Sequence, residues 1–207
     1  MSSLHAALEF LTPDGDAFVI DAPAAWAQGR TLYGGMTAAL AYEAIKRAHP
    51  ELPPLRAAQF TFVGPASGHL RFSSTLLRRG RSSTIIASEC VNEGGVVARS
   101  VFVFGAARES QVAHNLHPLP VVPSPEESPP FRKSAPSQRG FWDNFEVRLA
   151  SGSRLLEQSA PRAEFAVWTR FLDVGAVDPT TALLAISDCL PPAAMVHFPQ
   201  PAPISTM

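Results

Sequence analysis

The run Tyr33-Gly34-Gly35-Met36-Thr37-Ala38-Ala39-Leu40-Ala41-Tyr42-Glu43-Ala44-Ile45-Lys46-Arg47-Ala48-His49-Pro50 decides the fold. Met36, Leu40, Ala44 and Ala48 recur at steps of four, and Ala38, Ala39 and Ala41 add apolar surface on other faces. The pattern reads as a helix over Gly34–Ala48, buried on most of its circumference, with side chains small enough for close packing. Pro50, Pro53 and Pro54 end it. Such a helix needs a wrapper, and the flanking sequence supplies strands. Ala17–Ile20 precedes it as a short apolar run. Four stretches follow: Ala58–Val63, with Phe60 and Phe62 on one face; Leu70–Arg78, with Leu70, Phe72, Ser74 and Leu76 together; Ser82–Val91; and Val96–Gly105. Their connectors, Gly64–Gly68, Arg79–Arg81 and Asn92–Gly95, have hairpin composition, so successive strands are expected to be antiparallel neighbours. One curved sheet around one helix satisfies this order, and the class is α+β.

Proline marks the boundary of this unit. Seven of the 20 prolines fall between Pro118 and Pro136. The stretch 114–140 is poor in apolar residues and reads as a linker. It separates a first unit, 1–113, from a second, 141–207. The second unit repeats part of the same order: alternating strands at Asn144–Leu149 and Ala163–Leu172, then Asp178 as N-cap and Pro179 as first helical residue of an apolar helix over Thr180–Leu190.

Charge and composition exclude several classes. Lys plus Arg is 17 and Asp plus Glu 18, a net charge of −1, so no basic face for nucleic acid is expected. No stretch approaches the ~20 apolar residues that span a bilayer. The start, Met1–Glu9, does not read as a secretory signal. Two distant cysteines, Cys90 and Cys189, fit a reducing, cytoplasmic compartment. There is no Gly-x-Ser-x-Gly elbow, no dinucleotide-binding glycine pattern and no P-loop. His114 and His117 sit in the proline-rich stretch without a third partner, so neither a metal nor a cofactor is expected.

Three motifs together resemble the acyl-CoA thioesterase II family, a double hotdog fold. They are Gly29-Arg30-Thr31-Leu32-Tyr33-Gly34-Gly35 opening an Ala-rich helix, Arg78-Arg79-Gly80-Arg81-Ser82 between two strands, and Ala185-Ile186-Ser187-Asp188 ahead of two prolines. The resemblance covers nearly the whole chain. It implies hydrolysis of an acyl-CoA thioester, with Asp188 at the position of the family's catalytic aspartate, and assembly into a homo-oligomer. The chain departs from the family in two places. Arg79 stands where the family usually has an acidic residue. The family's second hotdog also continues through three further strands bearing a hydroxyl residue and a glutamine. This chain stops about where those strands begin, so an incomplete second hotdog is expected. Ser205 and Thr206 lie near the hydroxyl position, and no residue stands for the glutamine. A non-catalytic acyl-binding module of the same fold is the alternative. A hotdog hydratase is weaker, because no histidine follows Asp188 until His197.

Each candidate residue has a structural reading beside its chemical one. Asp188, in the last turn of its helix, would have its pKa raised by the helix dipole and by burial, making it a base for water. It would equally serve as a polar residue closing a helix. Gly34 and Gly35 place unpaired N–H groups where a thioester oxygen can approach, or they allow the helix start to pack closely. Arg78 and Arg81, with Arg79 between them, can meet CoA phosphates, or form a solvated hairpin tip. Glu43 has Lys46 and Arg47 one turn on, so an ion pair is the favoured reading over a general base.

Overall fold

The computed structural model describes residues 3–132 and 140–202. The chain opens with helix α1 (Leu4–Glu9), whose first turn is capped by the Ser3 hydroxyl accepting from Ala6 N–H at 3.0 Å. Strands β1 (Thr12–Asp14) and β2 (Ala17–Asp21) and a small ribbon of β3 (Ala27–Gln28) and β4 (Thr31–Leu32) follow. Helix α2 occupies Gly34–Ala48, as its spacing predicts. Then come β5 (Leu55–Phe62), β6 (His69–Arg79), β7 (Ser83–Asn92) and β8 (Gly95–Gly105).

These strands form one six-stranded antiparallel sheet in the order β1-β2-β6-β7-β8-β5, curved around α2. Alternation in the strands turns Leu70, Phe72, Ile86, Cys90, Phe102 and Phe104 inward, all buried with Met36, Leu40 and Ile45 of α2. Tyr42 of α2 stacks on Phe102 and Phe104 at centroid distances of 6.0 and 6.3 Å. This is the arrangement that the hotdog resemblance implies.

One connection differs from expectation. The turn Gly64–Gly68 is not a hairpin: β5 leaves β6 and pairs with β8 at the far edge. The backbone N–H groups of Val63 and Gly64 both donate to Val97 C=O, at 2.8 and 3.0 Å. Pro65, with no N–H, cannot extend a ladder. The loop instead crosses the sheet end, where Ala66 exchanges bonds with β4 (Leu32 N–H to Ala66 C=O, 2.6 Å; Ala66 N–H to the Thr31 hydroxyl, 2.8 Å). The Asn92 amide ties it down by donating to Pro65 and Ser67 C=O.

The second half contains β9 (Phe145–Gly152) and β10 (Phe165–Phe171), an antiparallel pair, and helix α3 (Pro179–Ile186). Asp178 caps α3 by accepting from Thr180 and Thr181 N–H at 2.9 and 3.2 Å, with Pro179 at the first position. The helix is shorter than the Thr180–Leu190 read from sequence. Ser187 closes it, and Cys189 N–H folds back to Ile186 C=O at 3.1 Å. Phe145 and Phe171 pack against Trp26 of the first half, at 5.8 and 6.3 Å between rings.

The proline-rich stretch is also more structured than its composition suggests. Leu116, Leu119 and Val121 are exposed, but Phe131 is buried against Phe165 at 5.0 Å. Phe131 N–H donates to Val147 C=O, and Leu149 N–H to Pro129 C=O, so this segment lines the outer edge of β9. Of this strand pair, β9 is thus covered on its outer side, and among the described residues β10 keeps an open edge. No helix among the described residues is long and apolar enough to cross a membrane.

Candidate functional site

The site forms where the start of α2 meets the end of α3. Tyr33 is the N-cap of α2, and its side chain makes no cap hydrogen bond. The first N–H groups of the helix therefore need another acceptor. The Asp188 carboxylate lies against this turn, close to Gly34, with the Gly35 N–H acting on it to lower its pKa. The two helices approach this closely because both α2 positions are glycine. A Cβ at Gly34 would lie 2.5 Å from Asp188 Oδ2 and 3.0 Å from Phe62 Cζ. One at Gly35 would collide with Ala185 C=O and come within 2.6 Å of the Tyr33 ring.

Tyr33 fixes the approach from the other side. Its ring is fully buried, stacked on Phe141 at 4.3 Å between centroids. Its hydroxyl donates to Ala185 C=O at 2.9 Å, satisfying one of the last carbonyls of α3. Burial pushes the phenol pKa far up, and the charges of Cys189 and Asp188 add to the shift, so Tyr33 remains a donor.

Asp188 stands two residues beyond the end of α3, rather than in its last turn. As a whole residue it is exposed. Its carboxyl pKa is nonetheless raised, first by loss of solvation, with the Gly35 hydrogen bond opposing. The helix dipole acts with the opposite sign to the sequence expectation: the carboxylate faces the positive end of α2. The neighbouring Cys189 is buried and its thiol is pushed up to about 11, largely by burial, which leaves it a poor nucleophile.

Asp188 lines a pocket of about 340 Å³ together with Gln28, Arg132, Phe141, Trp142 and Leu155. Sequence reasoning missed Gln28, Arg132 and Trp142, which come from a two-residue strand, the proline-rich stretch and the turn before β9. Phe131 lies inside the proline-rich stretch and Trp142 just after it, but nothing local in either marks a pocket. Ser205 and Thr206 lie outside the described residues.

Arg78 and Arg81 are not brought to this pocket. They are exposed at the β6–β7 tip, where Arg79 pairs with Glu51 at 2.8 Å. Glu51 follows the C-terminal end of α2, and a helix of 15 residues is roughly 22 Å long. The arginines and Asp188 thus stand at opposite ends of α2. Glu43 is held by Arg47 at 3.2 Å and Lys46 at 3.7 Å, and accepts from the Thr181 hydroxyl of α3 at 3.2 Å. The ion pair is therefore present, with a tie between helices added.

The matches with known proteins agree with this architecture. Residues 22–105 match the acyl-CoA thioesterase N-terminal domain, and residues 123–207 the C-terminal domain. Among solved structures, the chain is similar to a hotdog-fold protein of Alicyclobacillus acidocaldarius, with 29% identity, a TM-score of 0.83, and coverage of 97% of this chain and 74% of that one. A protein of Thermobifida fusca described as a thioesterase II shares 17% identity with a TM-score of 0.78, covering 95% and 74%. An acyl-CoA thioesterase II of Mycobacterium marinum shares 19% with a TM-score of 0.67, covering 90% and 68%. Among curated proteins, none matches.

Proposed function

Because the chain belongs to the acyl-CoA thioesterase family, we propose that it hydrolyses an acyl-CoA thioester with Asp188 as the base. The observation that carries this reading is the carboxylate of Asp188, set against the glycine pair that opens α2 and open to a pocket. A raised pKa makes it a stronger proton acceptor than an ordinary surface aspartate. In the proposed step Asp188 takes a proton from water while the water oxygen attacks the thioester carbonyl. The tetrahedral oxyanion collapses, the C–S bond breaks, and the proton passes to the leaving CoA thiolate. The positive end of α2 favours the negative charge that develops there.

Thiol release from a series of acyl-CoA esters, by wild type and Asp188→Asn, tests the reading. Turnover abolished by the substitution supports it. Turnover unaffected by the substitution defeats the role of Asp188. Acyl-CoA binding without turnover supports the alternative, a non-catalytic acyl-binding module. That alternative draws on Gly35 N–H, an oxyanion donor in the sequence reading, being occupied by Asp188.

We also propose that 1–113 is one hotdog unit, that 114–140 joins it to a partial second hotdog unit over 141–207, and that the chain forms a homo-oligomer. Leu183 on α3 is 64% exposed and Leu172 54%, and the β10 edge is open; such surfaces mark interfaces. Two free, buried cysteines fit a cytoplasmic setting.

A further inference from the structure

Arg132 is the unexplained charge of the Asp188 pocket. Its guanidinium lies over the Trp142 ring, 5.2 Å from the centroid, and both residues line the cavity. The side chain is partly buried, a setting in which guanidinium groups ordinarily have a carboxylate partner. Arg71, Arg79, Arg99, Arg148 and Arg170 all have one. Arg132 has no ion pair among the described residues, and the stretch that follows it, 133–139, contains no acidic side chain. The charge of Asp143 favours the guanidinium, but burial outweighs it and holds the Arg132 pKa below its usual value. A planar fork of donors, backed by an aromatic face and opening into a cavity, is suited to an anionic oxygen group.

We infer that Arg132, supported by Trp142, is the subsite for an anionic oxygen group of the ligand that enters the Asp188 pocket. That group is a CoA phosphate or a carboxylate at the far end of the acyl chain. The identity of the ligand rests on the acyl-CoA reading; the binding site itself does not depend on turnover.

Calorimetric titration of wild type and Arg132→Gln with CoA, pantetheine and adipate tests it, with thermal unfolding as the check on folding. Arg132→Lys, which keeps the charge and loses the fork, serves if Gln does not fold. The expected result is a loss of about tenfold or more in affinity for one anion, the scale of a charge-assisted hydrogen bond, with pantetheine unchanged. Loss for CoA identifies phosphate, and loss for adipate identifies carboxylate. The inference is overturned if both anions bind the variant as tightly as wild type, if pantetheine weakens equally, or if wild type binds neither anion. Hexanoyl-CoA turnover by the same wild-type preparation judges hydrolysis separately. Turnover with Arg132-independent binding removes the subsite alone, and Arg132-dependent binding without turnover removes the hydrolase reading alone.

Discussion

The two halves of the molecule are built around the same kind of helix and treat it differently. Six strands wrap α2, and ten of its residues are buried. Two strands accompany α3, and only Thr181 and Ala185 are buried on it. The sequences do not anticipate this contrast, because both helices read as apolar: α2 has alanines on several faces and is enclosed, whereas α3, capped by Asp178, is held mainly through its contact with α2. The second helix therefore takes its position from the first. The contacts that carry the docking, Tyr33 hydroxyl to Ala185 C=O, Gly35 N–H to Asp188 and the Thr181 hydroxyl to Glu43, are also the contacts that define the site. In this protein the candidate chemistry lies at the joint between a closed half and an open one.

The largest effect should separate the halves by stability. Phe102→Ala empties the centre of the first sheet and is expected to cost about 3–5 kcal/mol, measured by denaturant unfolding. A cost under about 1 kcal/mol would mean that the first half is less closed than its packing implies. At the joint, Asp188→Asn should lower thioesterase turnover by ~10²-fold or more, the usual scale for a general base. If activity fell only in proportion to lost folded protein, Asp188 would belong to the packing.

Gly35→Ala sharpens the contrast further. Its methyl group would meet Ala185 C=O and the Tyr33 ring, and overpacking of this kind costs about 1–3 kcal/mol. The damage should concentrate on α3, so hydrogen exchange should quicken in 179–189 while the β6–β8 amides stay protected. Uniform quickening would contradict the dependence of one half on the other. On the open face, Leu183→Glu should shift sedimentation of the micromolar protein toward the chain mass of 22.2 kDa. A wild type already sedimenting at that mass would remove the interface.

The smallest effect concerns pH. The Asp188 pKa is raised in the folded state, so its stability contribution is present below the unfolded pKa and lost as pH rises through the folded one. Asp188→Asn should therefore unfold at a temperature no lower than wild type near pH ~7, with the difference narrowing or reversing near pH ~4. The acid limb of wild-type kcat/KM should lie above the ordinary carboxylate range. A limb within that range would place the base elsewhere.

The fold was legible where side-chain periodicity reports burial. The α2 limits and the seven strands over Ala17–Ile20, Ala58–Gly105, Asn144–Leu149 and Ala163–Leu172 appear within a few residues of their expected positions. It was not legible where neighbours are chosen by distant partners: nothing local in Gly64–Gly68 reveals that β5 pairs with β8. Helix α1 was missed although Ser3, followed by Leu4, Ala7 and Leu8, carries both a cap and a period. At the site, the Gly34–Gly35 pair and Asp188 could be named from sequence, and the structure brings them into contact. Arg132 and Trp142 could not, because their relevance comes from a pocket assembled by three separate segments.

The crossing loop at Gly64–Gly68 also bears on how the chain reaches this structure. Strands β6, β7 and β8 are joined by short turns and can form early from neighbouring residues. The flanking strands cannot: β2 aligns Phe18 with Phe72, and β5 aligns Phe60 with Ser100. Both must be recruited across long stretches of chain, a costly closure that slows folding. Because α2 lies between β2 and β5 in sequence, recruiting these two strands draws the helix against the meander. The topology therefore couples closing the sheet to enclosing its helix, and delay in either edge would leave the apolar surface of α2 exposed to other chains.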